Sequence, residues 1–288
     1  MNSNINRELH LIKSRIEKSV AGIWIPEHDA RGHKYRHSVL GVSQYSVTTK
    51  LQVLDKPRLK MWMMKMAVEW MALEDRWKRF INNPSERDEL ITGAQLAHTD
   101  KRDDAGDVGT QAHNIMERFI NEWIANNYVA PDIMTFVDPS KTDPRAIACV
   151  RGLQAVLQKH RVIPIASELL VGHHKYSAGT LDFLCFWDDK LTLVDFKTSN
   201  GIDNIGYSLQ VSAYVKFFTY MTGIRIPSAK IIHFSKGSDK FDVYKVNRIT
   251  DIYKVFKALC TVWDWVELVT NGNKKGWIAK DIKKLIIK

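Results

Sequence analysis

The sequence predicts an α/β fold: a central mixed sheet that starts as an antiparallel meander, flanked by helices and preceded by a helical N-terminal extension. Three observations predict it. Apolar residues recur at three- and four-residue spacing through residues 58–80 and 108–125. At Val162 the texture changes to three short runs rich in β-branched and aromatic residues. Beyond the third run a helical pattern, two strand-like segments and a long helical pattern follow, an order that builds helices onto a sheet.

Taken in order, residues 58–80 place Leu59, Trp62, Met63, Met66, Trp70, Leu73 and Trp77 on one stripe, expected to face the core. A second helix is expected over 108–125, opened by Asp107 as N-cap, with Ala112, Ile115, Phe119 and Trp123 on its apolar face. A third is expected over 144–160. The expected strands are 163–171, 178–187 and 191–197, followed by a helix over 205–220, strands over 229–234 and 241–246, and a helix over 251–269. Asn83-Pro84, Ala130-Pro131 and Asn271-Gly272 punctuate without marking a long linker, and no repeat is present. The expected division is a helical extension over 1–100 and a core over 101–288 that ends in a basic segment.

Composition excludes several classes. A chain of 288 residues with 45% apolar content, nine Trp, nine Tyr and eleven Phe has enough to bury for one large core or two small ones, which excludes disorder as the main state. No apolar run approaches the roughly 18 residues that span a bilayer. The first residues carry no apolar signal region, and Glu8 and Glu17 argue against a transit peptide, so a cytoplasmic protein with no membrane partner is expected. Cys149, Cys185 and Cys260 are odd in number and far apart, which builds neither a disulfide framework nor a four-thiolate cluster.

The net charge is +10, which alone says little about partners. Its distribution says more: +4 over 1–100, 0 over 101–167, −3 over 168–210 and +9 over 211–288. An acidic island lies between basic flanks.

That island carries the candidate chemistry. With Asp188-Asp189 as a turn, Trp187 faces Lys190, and the register carried inward sets Asp182 opposite Asp195, with Cβ atoms about 5 Å apart. A turn centred on Lys175 likewise sets Glu168 opposite Asp182, so three carboxylates fall in one row. Side chains alternate along a strand, so Asp195 and Lys197 share a face while Phe196 turns into the core. An isolated Asp-x-Lys is ordinarily a solvated face. Here it ends the apolar run Leu191–Val194 and has two acids in register. Such a row is costly without compensation, and a hard divalent cation supplies it. A lysine two residues beyond is placed to stabilise negative charge on a phosphate or to help deprotonate an attacking water, which is the layout of metal-assisted phosphodiester hydrolysis.

Glu168, Gly179-Thr180-x-Asp182, Val194-Asp195-Phe196-Lys197-Thr198 and Gln210-x-x-x-Tyr214, preceded by Gly109-Thr110-x-x-His113-x-x-x-Glu117 and more faintly by Ser46-Val47-Thr48-Thr49 with Leu59 and Trp62, resemble the PD-(D/E)XK nuclease superfamily in its RecB-like, phage-type exonuclease branch. The resemblance spans about residues 43–220 and implies a restriction-endonuclease-like core over 101–288. It further implies His113, Asp182, Asp195 and the Phe196 carbonyl as metal ligands, Lys197 as the catalytic lysine and Glu168 as a supporting or second-metal acid. Gln210 and Tyr214 would position the lysine or the DNA backbone. Read without it, His113 is a helix-surface histidine bonded to Glu117, Gln210 a surface residue and Tyr214 a core residue. Asp188, Asp189 and Asp203 are expected in turns and caps, and His173 and His174 in an exposed turn.

The implied activity is Mg²⁺- or Mn²⁺-dependent hydrolysis of DNA from its ends, in replication, repair or recombination, with a structure-specific or restriction-like endonuclease and a decayed DNA-binding module as the competing readings. The iron–sulfur members of the branch need four cysteines, so no iron–sulfur cluster is expected. DNA, single- or double-stranded at its ends, is the expected partner, with a helicase or single-strand-binding protein as a companion. Lys274, Lys275, Lys280, Lys283 and Lys284 around Trp277 form a candidate phosphate-neutralising segment, and Arg76, Lys78 and Arg79 a candidate contact with an entering strand.

Overall fold

A computed structural model describes residues 3–20, 24–29, 32–199 and 201–270. Helix α1 (Ser3–Val20) buries Ile5, Leu9 and Ile12, one stripe of it, against the main core. A small antiparallel sheet follows, β1 (Trp24–Asp29), β2 (Gly32–His37) and β3 (Ser43–Tyr45). The first hundred residues are therefore not helical alone. The β1 and β2 sequences WIPEHD and GHKYRH are mostly polar and bury little, so no apolar alternation announces them. This sheet is tied to the larger one where Ser46 bridges Ala178 and the Ser177 hydroxyl donates to the Tyr45 carbonyl at 2.7 Å.

Ser46 caps the short helix α2 (Val47–Lys50), its Oγ accepting from the Thr49 amide at 3.0 Å. Next come α3 (Pro57–Met71), α4 (Arg76–Asn82) and α5 (Arg87–Leu96). The single helix expected over 58–80 is thus two. Glu74 and Asp75 take left-handed conformations (φ 55° and 57°), and Arg76 folds back to donate to the Trp70 carbonyl at 2.8 Å with its guanidinium 4.0 Å from the Trp70 ring centre. Nor is the apolar stripe a core face throughout: of its members Met66 is buried, whereas Leu59, Leu73 and Trp77 are exposed. The three helices pack on one another. A Cβ on Gly93 would overlap the Trp70 ring, so the glycine is what lets α5 cross α3 so closely.

Helix α6 (Thr99–Ala125) starts nine residues earlier than expected, and Asp107 lies inside it rather than capping it. The extra turns bury almost nothing, so periodicity cannot reveal them. They are held instead by polar contacts: Arg145 at the start of α7 (Pro144–Lys159) grips Asp104 through two bonds of 2.7 Å, and Lys236 donates to the Ala105 carbonyl at 2.8 Å.

The main sheet has the order β4 (Val162–His173), β5 (Ser177–Trp187), β6 (Lys190–Lys197), β7 (Ser228–Phe234), β8 (Phe241–Lys245). The first three strands are an antiparallel meander; β6 and β7 are parallel, joined by α8 (Asn204–Thr222); β8 is antiparallel, and α9 (Ile249–Thr270) closes the described chain. The sheet is mixed, α/β and covered on both faces. Phe183, Cys185, Val194 and Phe196 meet α6 and α7, while Leu184, Phe186, Leu191 and Leu193 meet α1, α8 and α9. Asp188 and Asp189 make the expected tight turn, both with positive φ. Asp203 caps α8, accepting from the Gly206 amide at 2.9 Å. The basic segment around Trp277 lies outside the described residues.

Candidate metal centre

The expected registers hold. Trp187 pairs with Lys190 and Phe183 with Val194; His173 pairs with Ser177, Leu169 with Leu181 and Ser167 with Phe183. Glu168 and Asp182 lie opposite each other within this register, yet they are the positions at which the ladder is interrupted. Glu168 adopts φ 46°, a strained value for a non-glycine residue in a strand. Alternation slips beside Asp182, since Leu181 and Leu184 enter the same core layer. The two acids are thereby re-aimed, and they come together with a helix residue: ligand atoms of His113, Glu168 and Asp182 all lie within 4.8 Å of one another.

Asp195 departs from the single row expected. Its carboxylate is wholly buried and is taken by the Lys197 ammonium, 2.5 Å from Oδ2. Asp182 is tied to the same strand by accepting from the Phe196 amide at 2.7 Å. The Phe196 ring packs between Phe183 and Phe234 and edge-on to His113, as a core residue between two polar ones should.

These groups open on a cleft of about 640 Å³, lined by successive turns of α6 (Gly109, Thr110, His113, Glu117), by Glu168, Asp182 and Lys197, and by Lys236 beyond β7. Gly109 has a physical role, because a Cβ there would meet the Thr198 hydroxyl at 2.9 Å and push α6 off the end of β6.

The electrostatics are those of acids gathered without enough positive charge. Burial, then Asp182, Glu117 and Asp195, push the Glu168 carboxyl up to about 8. Burial also raises Asp182 and Asp195, with Lys197 opposing. Burial alone would lower Lys197, but Asp195 and Asp182 outweigh it and the ammonium is held charged. His113 is driven down to about 4 by burial and by Lys197, so it stands as a neutral imidazole with a lone pair to offer. A neutral histidine and two carboxyls, Glu168 and Asp182, whose ligand atoms lie within 4.8 Å of one another, fit a hard divalent cation.

Gln210 and Tyr214 sit on α8 behind the sheet, both buried, the Gln210 amide donating to the Tyr214 hydroxyl at 3.3 Å. Neither lines the cleft. Tyr214 packs on Gly179, where a Cβ would approach its ring and hydroxyl to 2.8 Å. The α8 residue that touches the lysine is Tyr207, its ring centre 4.9 Å from the Lys197 ammonium and its hydroxyl donating to Ser199 at 3.0 Å. Sequence reading passed over Tyr207, although it shares a helical face with Gln210 and Tyr214. The surface charges Arg76, Lys78 and Arg79 are engaged by Glu74, Asp75 and Glu86.

No helix among the described residues is long and apolar enough to cross a membrane. No protein-family model matches this chain, and no curated protein is similar to it. Among solved structures, the chain is similar to one described as "Crystal structure of SSO0001", at 15% identity over 55% of this chain and 74% of that one, with a TM-score of 0.29.

Proposed function

We propose that this chain is a Mg²⁺- or Mn²⁺-dependent deoxyribonuclease of the PD-(D/E)XK type that hydrolyses phosphodiester bonds from DNA ends. One observation carries the reading: His113, Glu168 and Asp182 converge on a cleft beside Lys197, whose ammonium is held by the buried Asp195 carboxylate. Asp195 is answered by Lys197 and Asp182 by the Phe196 amide, but Glu168 has neither a hydrogen bond nor an ion pair among the described residues, and the acids around it raise its pKa.

His113, Glu168 and Asp182 would hold the cation, with Phe196 beside them in the cleft lining, whereas Asp195, expected as a ligand, is committed to Lys197. When bound it supplies Lewis-acid stabilisation of a phosphoryl oxygen and eases deprotonation of water. Lys197 meets the negative charge that develops on the phosphate during in-line attack by water. Asp195 keeps Lys197 protonated and fixes its position from below the cleft, and the Tyr207 ring holds its flank. Thr110 and Ser199 also line the cleft, their hydroxyls donating to the Gly106 and Gly201 carbonyls at 3.0 and 2.6 Å.

Linear DNA labelled at either end and a covalently closed circle, each incubated with Mg²⁺ or with EDTA, test the proposal. Degradation of linear DNA alone, abolished by EDTA, supports it. Nicking of the circle moves the assignment to an endonuclease on the same residues, and no cleavage of either substrate refutes it.

A further inference from the structure

We infer that Lys236 is a second phosphate-binding group, which holds the nucleic-acid backbone away from the scissile bond; the inference rests on the nuclease reading above. Lys236 follows β7, far in sequence from every motif, yet it lines the same cleft as Lys197. Two observations distinguish it from an ordinary surface lysine. Its ammonium is pinned, donating to the Ala105 carbonyl of α6 at 2.8 Å. Its charge is also unspent: no carboxylate among the described residues comes within ion-pair distance of it, although Asp104 and Asp143 are neighbours. Both of those acids are taken by Arg145, at 2.7 Å each.

The cleft therefore holds two ammonium groups in different states. Lys197 is matched by Asp195. Lys236 bonds only to a neutral carbonyl and is half-buried, and desolvation lowers its pKa, so an anion arriving there relieves it. A phosphodiester is the anion that fits, because the same cleft presents a candidate cation centre and the Lys197 ammonium. From Ala105 to His113 is two turns of α6, about 12 Å along its axis. A phosphate on Lys236 is therefore a different one from the phosphate at the metal centre.

The alternative is that Lys236 serves only to fasten β7 to α6 through Ala105. Glutamine at this position keeps a donor and loses the charge, and arginine keeps both. Binding of a fluorescent single-stranded oligonucleotide, with Ca²⁺ replacing Mg²⁺, is measured by anisotropy from 50 to 200 mM KCl for wild type, Lys236→Gln and Lys236→Arg. Loss of one phosphate contact lowers the slope of log K against log salt by about 0.7. The fourfold rise in salt then costs Lys236→Gln about 2.5-fold less affinity than it costs wild type, while Lys236→Arg matches wild type. A wild-type slope in Lys236→Gln, with wild-type DNA bound normally, overturns this inference and leaves the nuclease reading standing. No binding by the wild type overturns both.

Discussion

The backbone amide of Phe196 donates to Asp182 Oδ2 at 2.7 Å, so the residue between Asp195 and Lys197 fastens the acid of the neighbouring strand. The contact lies just past Phe183 and Val194, the last pair of the β5–β6 ladder, and gives the Phe196 amide a carboxylate partner. Asp182→Asn keeps an oxygen acceptor for that amide and removes the charge. The expected outcome is a melting temperature at or above wild type with cleavage reduced at least about 100-fold. Asp182→Ala loses the bond as well and is expected to be less stable by about 1.5–3 kcal/mol. Thermal melts and a cleavage assay on both variants check the pair.

Gly179 is packed under Tyr214. Gly179→Ala forces its methyl against a buried ring and is expected to destabilise by about 1–3 kcal/mol. Adding Tyr214→Leu makes room, so the double variant is expected to cost less than the two single changes added together. Urea denaturation of the four proteins measures this coupling.

His173 closes the β4–β5 hairpin against Tyr176, Tyr220 and Phe217, and burial, followed by His174 and Lys175, drives its pKa down to about 4. Between pH 4 and 6.5 the unfolded chain binds this proton and the folded chain does not. Its contribution to stability is therefore complete above pH 6.5 and is lost as pH falls towards 4. His173→Gln is expected to lose less stability than wild type between pH 7 and pH 5, read as the shift in urea midpoint.

Lys50 is 1% exposed, with its ammonium 2.8 Å from Asp264 and 3.2 Å from the Gln44 side-chain oxygen. It fastens α9 to the small N-terminal sheet. Lys50→Ala is expected to cost about 2–3 kcal/mol through its charged hydrogen bonds, a loss visible in the melting temperature, and Asp264→Ala to be destabilising as well, because it leaves a buried ammonium without its carboxylate.

The parts of the fold that a sequence reveals are those that repeat. Trp187 opposite Lys190 follows from a two-residue aspartate turn, and the strand registers follow from it. Asp195 beside Lys197 follows from alternation. What stayed hidden does not repeat. The positive φ of Glu168 breaks alternation and draws Glu168 and Asp182 towards His113, leaving Asp195 to Lys197; no residue pattern announces that. The early turns of α6 carry no apolar stripe because Arg145 and Lys236 hold them by charge and hydrogen bonds. The break between α3 and α4 has neither glycine nor proline at its left-handed residues, Glu74 and Asp75. Lys236 reaches the cleft only through the parallel crossover from β6 to β7, a relationship of the sheet and not of the local sequence.

The metal and lysine roles are separated by comparing wild type with Lys197→Ala on end-labelled linear DNA in Mg²⁺, alongside calorimetric titration of both proteins with Mn²⁺. Mn²⁺ is expected to bind both, and Lys197→Ala to cleave at least about 100-fold more slowly. Cleavage by Lys197→Ala at the wild-type rate would contradict the proposed role of Lys197.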